Sequence, residues 1–390
     1  MPNRVTGHYR IIRWQEEDVR AFVPTPLPPQ APPLQLDDEA KLLVAQATAA
    51  LEKLAIAGDM VPDANWFLYG FARKEALVSS QIEGTQATLQ DVLALEAGAT
   101  ISNPRQAREV CNYVKAIEYA RDEIARPHGL PISRQLLCEA HRRLMPDEDN
   151  KQPGEIRRSQ NWIGGTRPGN AHFVPPPPDE LTEALSSLER YIHAADDLPA
   201  VVRAGLAHVQ FETIHPFLDG NGRIGRLLIT LLVEHWGLLR EPLLYVSVPF
   251  KQQQAEYYAR LDAVRLHGDW EGWTKFFLRC VTSAAQDAVA TAQQLFRLTS
   301  GDLAKITAAP DATVSAVRLM QLLPRHPVIT PTSVRQLLGA SKPTVTKAID
   351  FLCRQSVLRQ IGSARRNRSY VYSSYMEILS ADAAPGKQPE

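Results

Sequence analysis

The chain has 390 residues, with 43 Lys plus Arg against 43 Asp plus Glu, so its formal net charge is zero. That balance excludes a protein that coats nucleic acid or membrane over its whole surface. Hydrophobic residues at 44% and charged residues at 22% give an ordinary globular composition, at a length that suits two or three domains. The four cysteines, Cys111, Cys138, Cys280 and Cys353, are far apart with no CxxC pair, which reads as buried thiols in a reducing compartment and not as a disulfide framework or zinc site. The N-terminus lacks the apolar run of a signal peptide, and no stretch approaches the ~18 apolar residues that span a bilayer. The expectation is a soluble cytoplasmic protein with no membrane partner.

The zero is an average. Residues 325 to 372 hold nine basic residues and one acidic, Asp350, which leaves 34 basic and 42 acidic residues elsewhere. A short basic unit is joined to a larger acidic body, and the asymmetry points to separate jobs.

In chain order, FVPTPLPPQAPP at 22 to 33 contains six prolines, which fix φ and remove donors, so an extended arm is expected after a short leader. Helical spacing runs from Asp38 to about Ala57, then from Asn65 to near Gly84, followed by a short helix through Leu89, Val92 and Leu93. Further helices are expected at about 105 to 126 and 133 to 145, the second capped by Ser133. Between Pro153 and Pro178 two strand-like pieces, 161 to 163 and 172 to 174, flank Gly164, Gly165, Gly169 and Asn170 and predict a β-hairpin. Helices resume at about 180 to 194, 199 to 213, 223 to 236, 250 to 266, 269 to 281 and 284 to 298. The body is mainly α with an inserted hairpin.

Residues 215 to 226 read HPFLDGNGRIGR. Asp219, Gly220, Asn221 and Gly222 interrupt helix, while Ile224, Leu227, Leu228, Leu231 and Leu232 fall at helical spacing directly after them. A glycine-rich loop feeding a helix N-terminus presents free N–H groups and a positive dipole end to an anion. Arg223 and Arg226, three apart on the first turns, add guanidinium groups suited to phosphate oxygens. His215 is a base that works near neutral pH, and Asp219 is a hard oxygen ligand beside the phosphates, the usual way to hold Mg²⁺ with one carboxylate. Each residue alone reads as a turn former, a buried His or a solvated helix face. Together they converge on one helix start as base, metal ligand and polyphosphate cradle.

HPFLDGNGRIGR fits the signature HPFx(D/E)GNGRxxR at every defined position, and over roughly residues 20 to 285 the chain resembles Fic-domain protein adenylyltransferases. The resemblance implies transfer of AMP from ATP, with Mg²⁺, to a Ser, Thr or Tyr hydroxyl of a protein substrate, with release of pyrophosphate. It implies that His215 deprotonates the target hydroxyl and Asp219 holds the metal. Pro216, Phe217 and Leu218 would belong to the same loop, Gly220, Asn221 and Gly222 would cradle phosphates, and Arg223 and Arg226 would neutralise the β/γ end. Gln210, Gln252 and Tyr258 are candidates for the nucleotide site. The hairpin at 161 to 174 would be a flap that pairs with an extended segment of the target by strand addition. Self-modification and a homodimer are further forms that the resemblance implies.

SSQIEG at 79 to 84 matches the family's inhibitory pattern (S/T)xxxE(G/N), which makes Ser79 and Glu83 an expected brake upstream of the core. Its physical logic is competition, because a carboxylate paired with Arg226 takes the guanidinium meant for the γ-phosphate.

After Gly301 the composition resets. Helices at about 311 to 323, from Thr332 to Leu338 and from Lys342 to Gln355, with two strand-like pieces at 357 to 360 and 369 to 372, resemble a winged helix-turn-helix. Lys342, Thr344, Thr346 and Lys347 would face a duplex, and Arg365, Arg366 and Arg368 would sit on the wing. The expected fold is thus mainly α, a Fic helical core with a β-hairpin flap plus a C-terminal winged helix-turn-helix. The expected domains are an N-terminal arm and inhibitory helix (1–100), a catalytic core (101–285), a connecting helix or linker (286–310), the winged helix (311–376) and a disordered tail (377–390). Two other readings share these residues: a DNA-binding regulator whose body senses nucleotide, and an enzyme that transfers UMP or another phosphate-containing group.

Overall fold

The computed structural model of the protein describes residues 4–59, 64–146, 148–362 and 368–383. Where the sequence suggests only a short leader, the chain forms an antiparallel ribbon of β1 (Gly7–Trp14) and β2 (Glu17–Pro24), in register from Gly7↔Pro24 to Trp14↔Glu17. In β2, Val19 and Ala21 are buried while Arg20 between them is exposed, the alternation of a half-buried strand. The last pair of the ribbon is Gly7↔Pro24, and just beyond it the Thr25 N–H still donates to the Thr6 carbonyl at 2.8 Å.

Helices α1 (Asp38–Asp59), α2 (Ala64–Ile82), α3 (Leu89–Glu96), α4 (Pro104–Ala125), α5 (Arg134–Leu144), α6 (Leu181–His193), α7 (Ala200–Ile214), α8 (Asn221–His235), α9 (Ser247–Gln252), α10 (Gln254–His267) and α11 (Trp270–Ala308) follow. Ser133 caps α5 as its position predicts, accepting from the Leu136 N–H at 3.3 Å. The two helices expected at 269 to 281 and 284 to 298 are one continuous α11, which also runs through most of the connecting helix or linker expected at 286 to 310. No Gly or Pro separates them, and the Thr282 hydroxyl returns to the Leu278 carbonyl within the helix. The chain closes with α12 (Val314–Leu322), β3 (Val328–Ile329), α13 (Pro331–Leu338), α14 (Lys342–Arg354), β4 (Leu358–Ile361), β5 (Ser369–Tyr372) and α15 (Ser373–Leu379).

Two compact units divide the chain, and neither is contiguous: the first is Met1–Glu52 with Lys115–Ala285, the second Lys53–Val114 with Gln286–Glu390. In the first, α7 is central, with every side chain from Val201 to Ile214 buried and α6, α8 and α10 packed on it. Phe250, Tyr257, Trp273, Phe276 and Phe277 stack around His208 on one side of α7. The expected flap reduces to a single antiparallel bridge, Ile163↔Phe173. The N-terminal ribbon braces it: Phe22 N–H donates to the Val174 carbonyl at 2.9 Å, and Val19, Ala21 and Val174 share a small core with Ile12, Trp14 and Trp162.

In the second unit, β3, β5 and β4 form a three-stranded sheet in that order, with α14 packed on β4, α3 on β3 and α15 on β5, while α12 and α13 pack on α14. Residues 377–383, expected to belong to a disordered tail, are part of the fold, since α15 runs to Leu379 and both Leu379 and Ala383 are buried. The apolar residues Tyr375, Met376 and Leu379, at helical spacing, bury one face there and offset the cost of ordering. Residues 384–390 of that expected tail lie outside the described residues, as do Arg365 and Arg366. No helix among the described residues is long and apolar enough to cross a membrane.

Candidate active site

The site grows from the junction of α7 and α8. Helix α7 stops at His215, which sits in the left-handed region (φ 50°, ψ 59°) and donates its N–H to the Phe211 carbonyl at 2.9 Å. Helix α8 starts after Gly220, at φ 76°, a conformation a Cβ would strain. Asn221 closes the loop between them: its Oδ1 accepts from the Phe217 N–H and its Nδ2 donates to the Phe217 carbonyl, both at 2.8 Å. The Asn221 side chain is therefore spent inside the loop, and its part in the cradle is to shape it. The first N–H groups of α8 have no carbonyl of their own helix and mark the anion-facing end.

His215 Nδ1 lies 3.3 Å from the Glu212 carbonyl, which can only accept, so Nδ1 carries the proton and Nε2 keeps its lone pair. Burial, and then the charges of Arg265 and Arg157, push the His215 pKa down to about 3. The ring is neutral at pH 7, in the form a base requires. Sequence patterns single out neither arginine. Arg157 is buried, and its guanidinium donates to the carbonyls of His215 (3.0 Å), Ser159 (3.1 Å) and Pro176 (2.5 Å), while its own N–H donates to Pro216 (3.0 Å). One side chain thus ties the flap's two ends to the loop. Its neighbour Arg158 is exposed and pairs with Glu155, and nothing in the string RR separates the two. Arg265 donates to the Glu212 carbonyl at 3.1 Å and stacks on Phe173 of the flap, 4.2 Å from the ring centroid.

His141 of α5 is a third such residue. Its Nδ1 accepts from the Gly154 N–H at 2.9 Å, so Nε2–H donates to the Asp219 carbonyl at 3.0 Å, and the ring stacks on Phe217 with centroids 4.0 Å apart. Burial holds its pKa down at about 4, against the raising effect of that carbonyl. A lone His in an amphipathic helix 78 residues before its partner carries no sequence signal.

Asp219 accepts from the Gly220 N–H at 2.6 Å through Oδ1, with Lys151 Nζ 3.3 Å from Oδ2 and Arg223 Nη2 at 3.9 Å. Burial raises its pKa, but the Gly220 N–H, Arg223 and Lys151 outweigh this and hold it below the ordinary carboxylate range. The carboxylate is 44% exposed and ionised. Among the described residues no group of three or more His, Cys, Asp or Glu could hold a metal, and Asp219 presents a single ionised carboxylate beside the loop. That donor set fits an ion whose remaining ligands are phosphate oxygens and water.

Arg223 and Arg226 are both buried on the first turns of α8, and Pro216 is buried while Leu218 is half-buried. Gln210 is buried and donates its amide to the Thr25 carbonyl at 2.9 Å. Gln252 is exposed at the end of α9, and Tyr258 lies beside Tyr257 on α10 with 42% of its surface exposed. Ser79 and Glu83 belong to the second unit, Ser79 in the last turns of α2 and Glu83 one residue past its end, before Gly84 at φ 98°.

Residues 131–233 match the model of the Fic/DOC family, and residues 42–122 match that of the Fic/DOC family N-terminal region. A protein adenylyltransferase Fic of Drosophila grimshawi is 31% identical over 219 residues, 54% of this chain and 42% of the relative. Another, of Drosophila mojavensis, is 30% identical over 253 residues, 62% and 47% of the two chains. The chain spans less than half the length of these curated relatives. A Fic family protein from Desulfovibrio desulfuricans G20 shares the fold with a TM-score of 0.58 at 21% identity, covering 87% of this chain and 98% of that one. A Fic domain containing signaling protein from Bacteroides thetaiotaomicron aligns with a TM-score of 0.51 over 66% of this chain and 97% of its own.

Proposed function

From a chain that belongs to the Fic/DOC family, with its domain at 131–233 and its N-terminal region at 42–122, we propose a protein adenylyltransferase that moves AMP from ATP to a Ser, Thr or Tyr hydroxyl of a protein. The observation that carries the reading is His215, whose Nδ1 proton is engaged by Glu212 so that Nε2 is the acceptor, on a loop that ends at a helix N-terminus.

Nε2 takes the proton of the target hydroxyl as its oxygen attacks the α-phosphorus. A P–O bond forms to the target, the bridging bond to the β-phosphate breaks, and the electron pair leaves with pyrophosphate. The backbone N–H groups at Gly220 to Gly222, with Arg223 and Arg226, bind and neutralise the phosphates. Asp219 would hold Mg²⁺, which supplies further neutralisation of phosphate charge when bound. The polyphosphate brings negative charge beside His215 and opposes the pull of Arg157 and Arg265, moving its pKa up toward the range where a base is most effective. An extended target segment aligns on the flap at 161 to 174. Glu83, with Ser79, acts as a brake by competing with the γ-phosphate for Arg226.

Incubation with α-labelled ATP tests this. Glu83→Gly raises AMP incorporation into the chain or added protein, and His215→Ala abolishes it. Labelling by the His215→Ala protein at the level of the unsubstituted chain would sink the assignment of the base. UMP incorporation in place of AMP under the same conditions would move the reading to another nucleotide.

The element order α12, β3, α13, α14, β4, β5, together with the basic excess of residues 325 to 372, supports a winged helix-turn-helix that contacts DNA phosphates. Affinity for any duplex should fall as salt rises, by about one log unit per log salt for each phosphate contact. Absence of binding at low salt refutes this second role.

A further inference from the structure

We propose that the C-terminal elements grip α2 and set the strength of the brake, with Gln81 and Leu379 as positioning residues; this rests on reading Ser79 and Glu83 as inhibitory. The grip lies wholly within the second unit. Gln81, between Ser79 and Glu83 in sequence, is buried, and its Nε2 donates both to the Ala87 carbonyl at 3.1 Å and to the Ala383 carbonyl at 3.2 Å, 302 residues further on. Upstream, α15 lies against Gly70: a Cβ there would stand 3.0 Å from Leu379 Cδ2, tighter than an ordinary van der Waals contact. Leu379 and Tyr375 are both fully buried, and Lys74 Nζ stands 3.7 Å from Asp382.

These contacts are not scattered around the helix. At ~100° per residue, Lys74 lies about 40° and Gln81 about 20° from Gly70, so the three form one stripe along α2. Ser79 lies about 180° away, on the opposite side. The C-terminal residues therefore hold the back of the helix and leave its inhibitory side to other work. A second tie secures α3, which follows the brake: Arg73 bonds Glu96 at 2.8 Å, and the Thr330 hydroxyl at the start of α13 donates to the Ala97 carbonyl at 3.2 Å. Loosening this grip lets the last turn of α2 fray and takes Glu83 with it, because Glu83 directly follows the last residue of the helix.

The test is a double-mutant comparison in the full chain, reading AMP incorporation from labelled ATP and pyrophosphate release. Gln81→Met keeps the volume and removes both donated bonds; it should raise transfer at least about fivefold, the population change that each lost hydrogen bond produces. Leu379→Ala should raise it at least as far, and thermal melts show whether each variant is folded. In a Glu83→Gly background neither change should add anything, since the brake through which they act is already gone. A folded Gln81→Met protein with unchanged transfer overturns the proposal, and so does an equal rise on top of Glu83→Gly. Should Glu83→Gly itself fail to raise transfer, the inhibitory reading falls and the proposal with it; a high Glu83→Gly activity beside a silent Gln81→Met would instead fail the grip alone.

Discussion

His215 is asked to be neutral and its surroundings make it so. With its pKa near 3 in the nucleotide-free protein, the acid limb of kcat/KM for ATP should lie well below the ~6.5 of an ordinary His. The sign follows from the base needing its lone pair: protonation on acidification removes activity, and a depressed pKa postpones that loss. The limb of kcat, which reports the nucleotide-bound protein, should lie at higher pH than that of kcat/KM, because bound phosphates favour the imidazolium. A pH-rate series at saturating and limiting ATP checks both. Arg157 is the other residue on which the loop depends. Arg157→Met leaves the carbonyls of His215, Ser159 and Pro176 without their donor, at about 1–3 kcal/mol for each buried group that finds no water. A lower melting temperature and a fall in AMP transfer with little change in ATP affinity are expected. The place of His215, at a loop that feeds a helix N-terminus, was legible in its motif, whereas Arg157, Arg265 and His141 come from segments whose local sequence gives no sign of where their side chains end up.

Elements differ in how much of them the sequence declares. Helix α8 was legible because a loop of glycines and a 3.6-residue apolar spacing meet at one residue. The N-terminal ribbon was not, since the prolines from Pro24 onward dominate the local signal and a hairpin reveals itself only through its partner, here the flap at Val174. Helix α7 shows what packing adds to pattern. Buried on all sides, it has no periodic face, and its contact with α11 depends on Gly205, where a Cβ would meet Phe277 Cδ1 at 2.7 Å and Cγ at 3.0 Å. Phe277 is held among Phe250 and Trp273 and cannot swing away. Gly205→Ala gains up to ~1 kcal/mol of helix propensity and loses about 1–3 kcal/mol to overpacking. Net destabilisation in urea unfolding, from a substitution that favours helix in isolation, is the expected result.

Over the whole molecule, the net charge of zero conceals a basic C-terminal stretch, and the chain divides into two compact units built from separated segments, which pairing across hundreds of residues decides and local pattern does not. Buried histidines give stability a pH dependence of definite sign. His208, with its pKa near 3, and His141, near 4, bind no proton in the folded state over the range where unfolded His, at ~6.5, does. The unfolded chain takes up more protons as pH falls below ~6.5, so stability drops toward acid with a slope approaching ~1.4 kcal/mol per pH unit for each group. Urea midpoints at pH 7 and pH 5 should show the loss, and His208→Gln should remove its share of the slope and leave that of His141.

The left-handed backbone at His215 constrains how the proposed base can be interrogated. A β-branched replacement would have to leave that conformation, so a dead His215→Val protein confounds missing chemistry with a rebuilt loop. Asparagine tolerates the same dihedrals, which makes His215→Asn the cleaner knockout and the natural vehicle for trapping a nucleotide complex that cannot turn over.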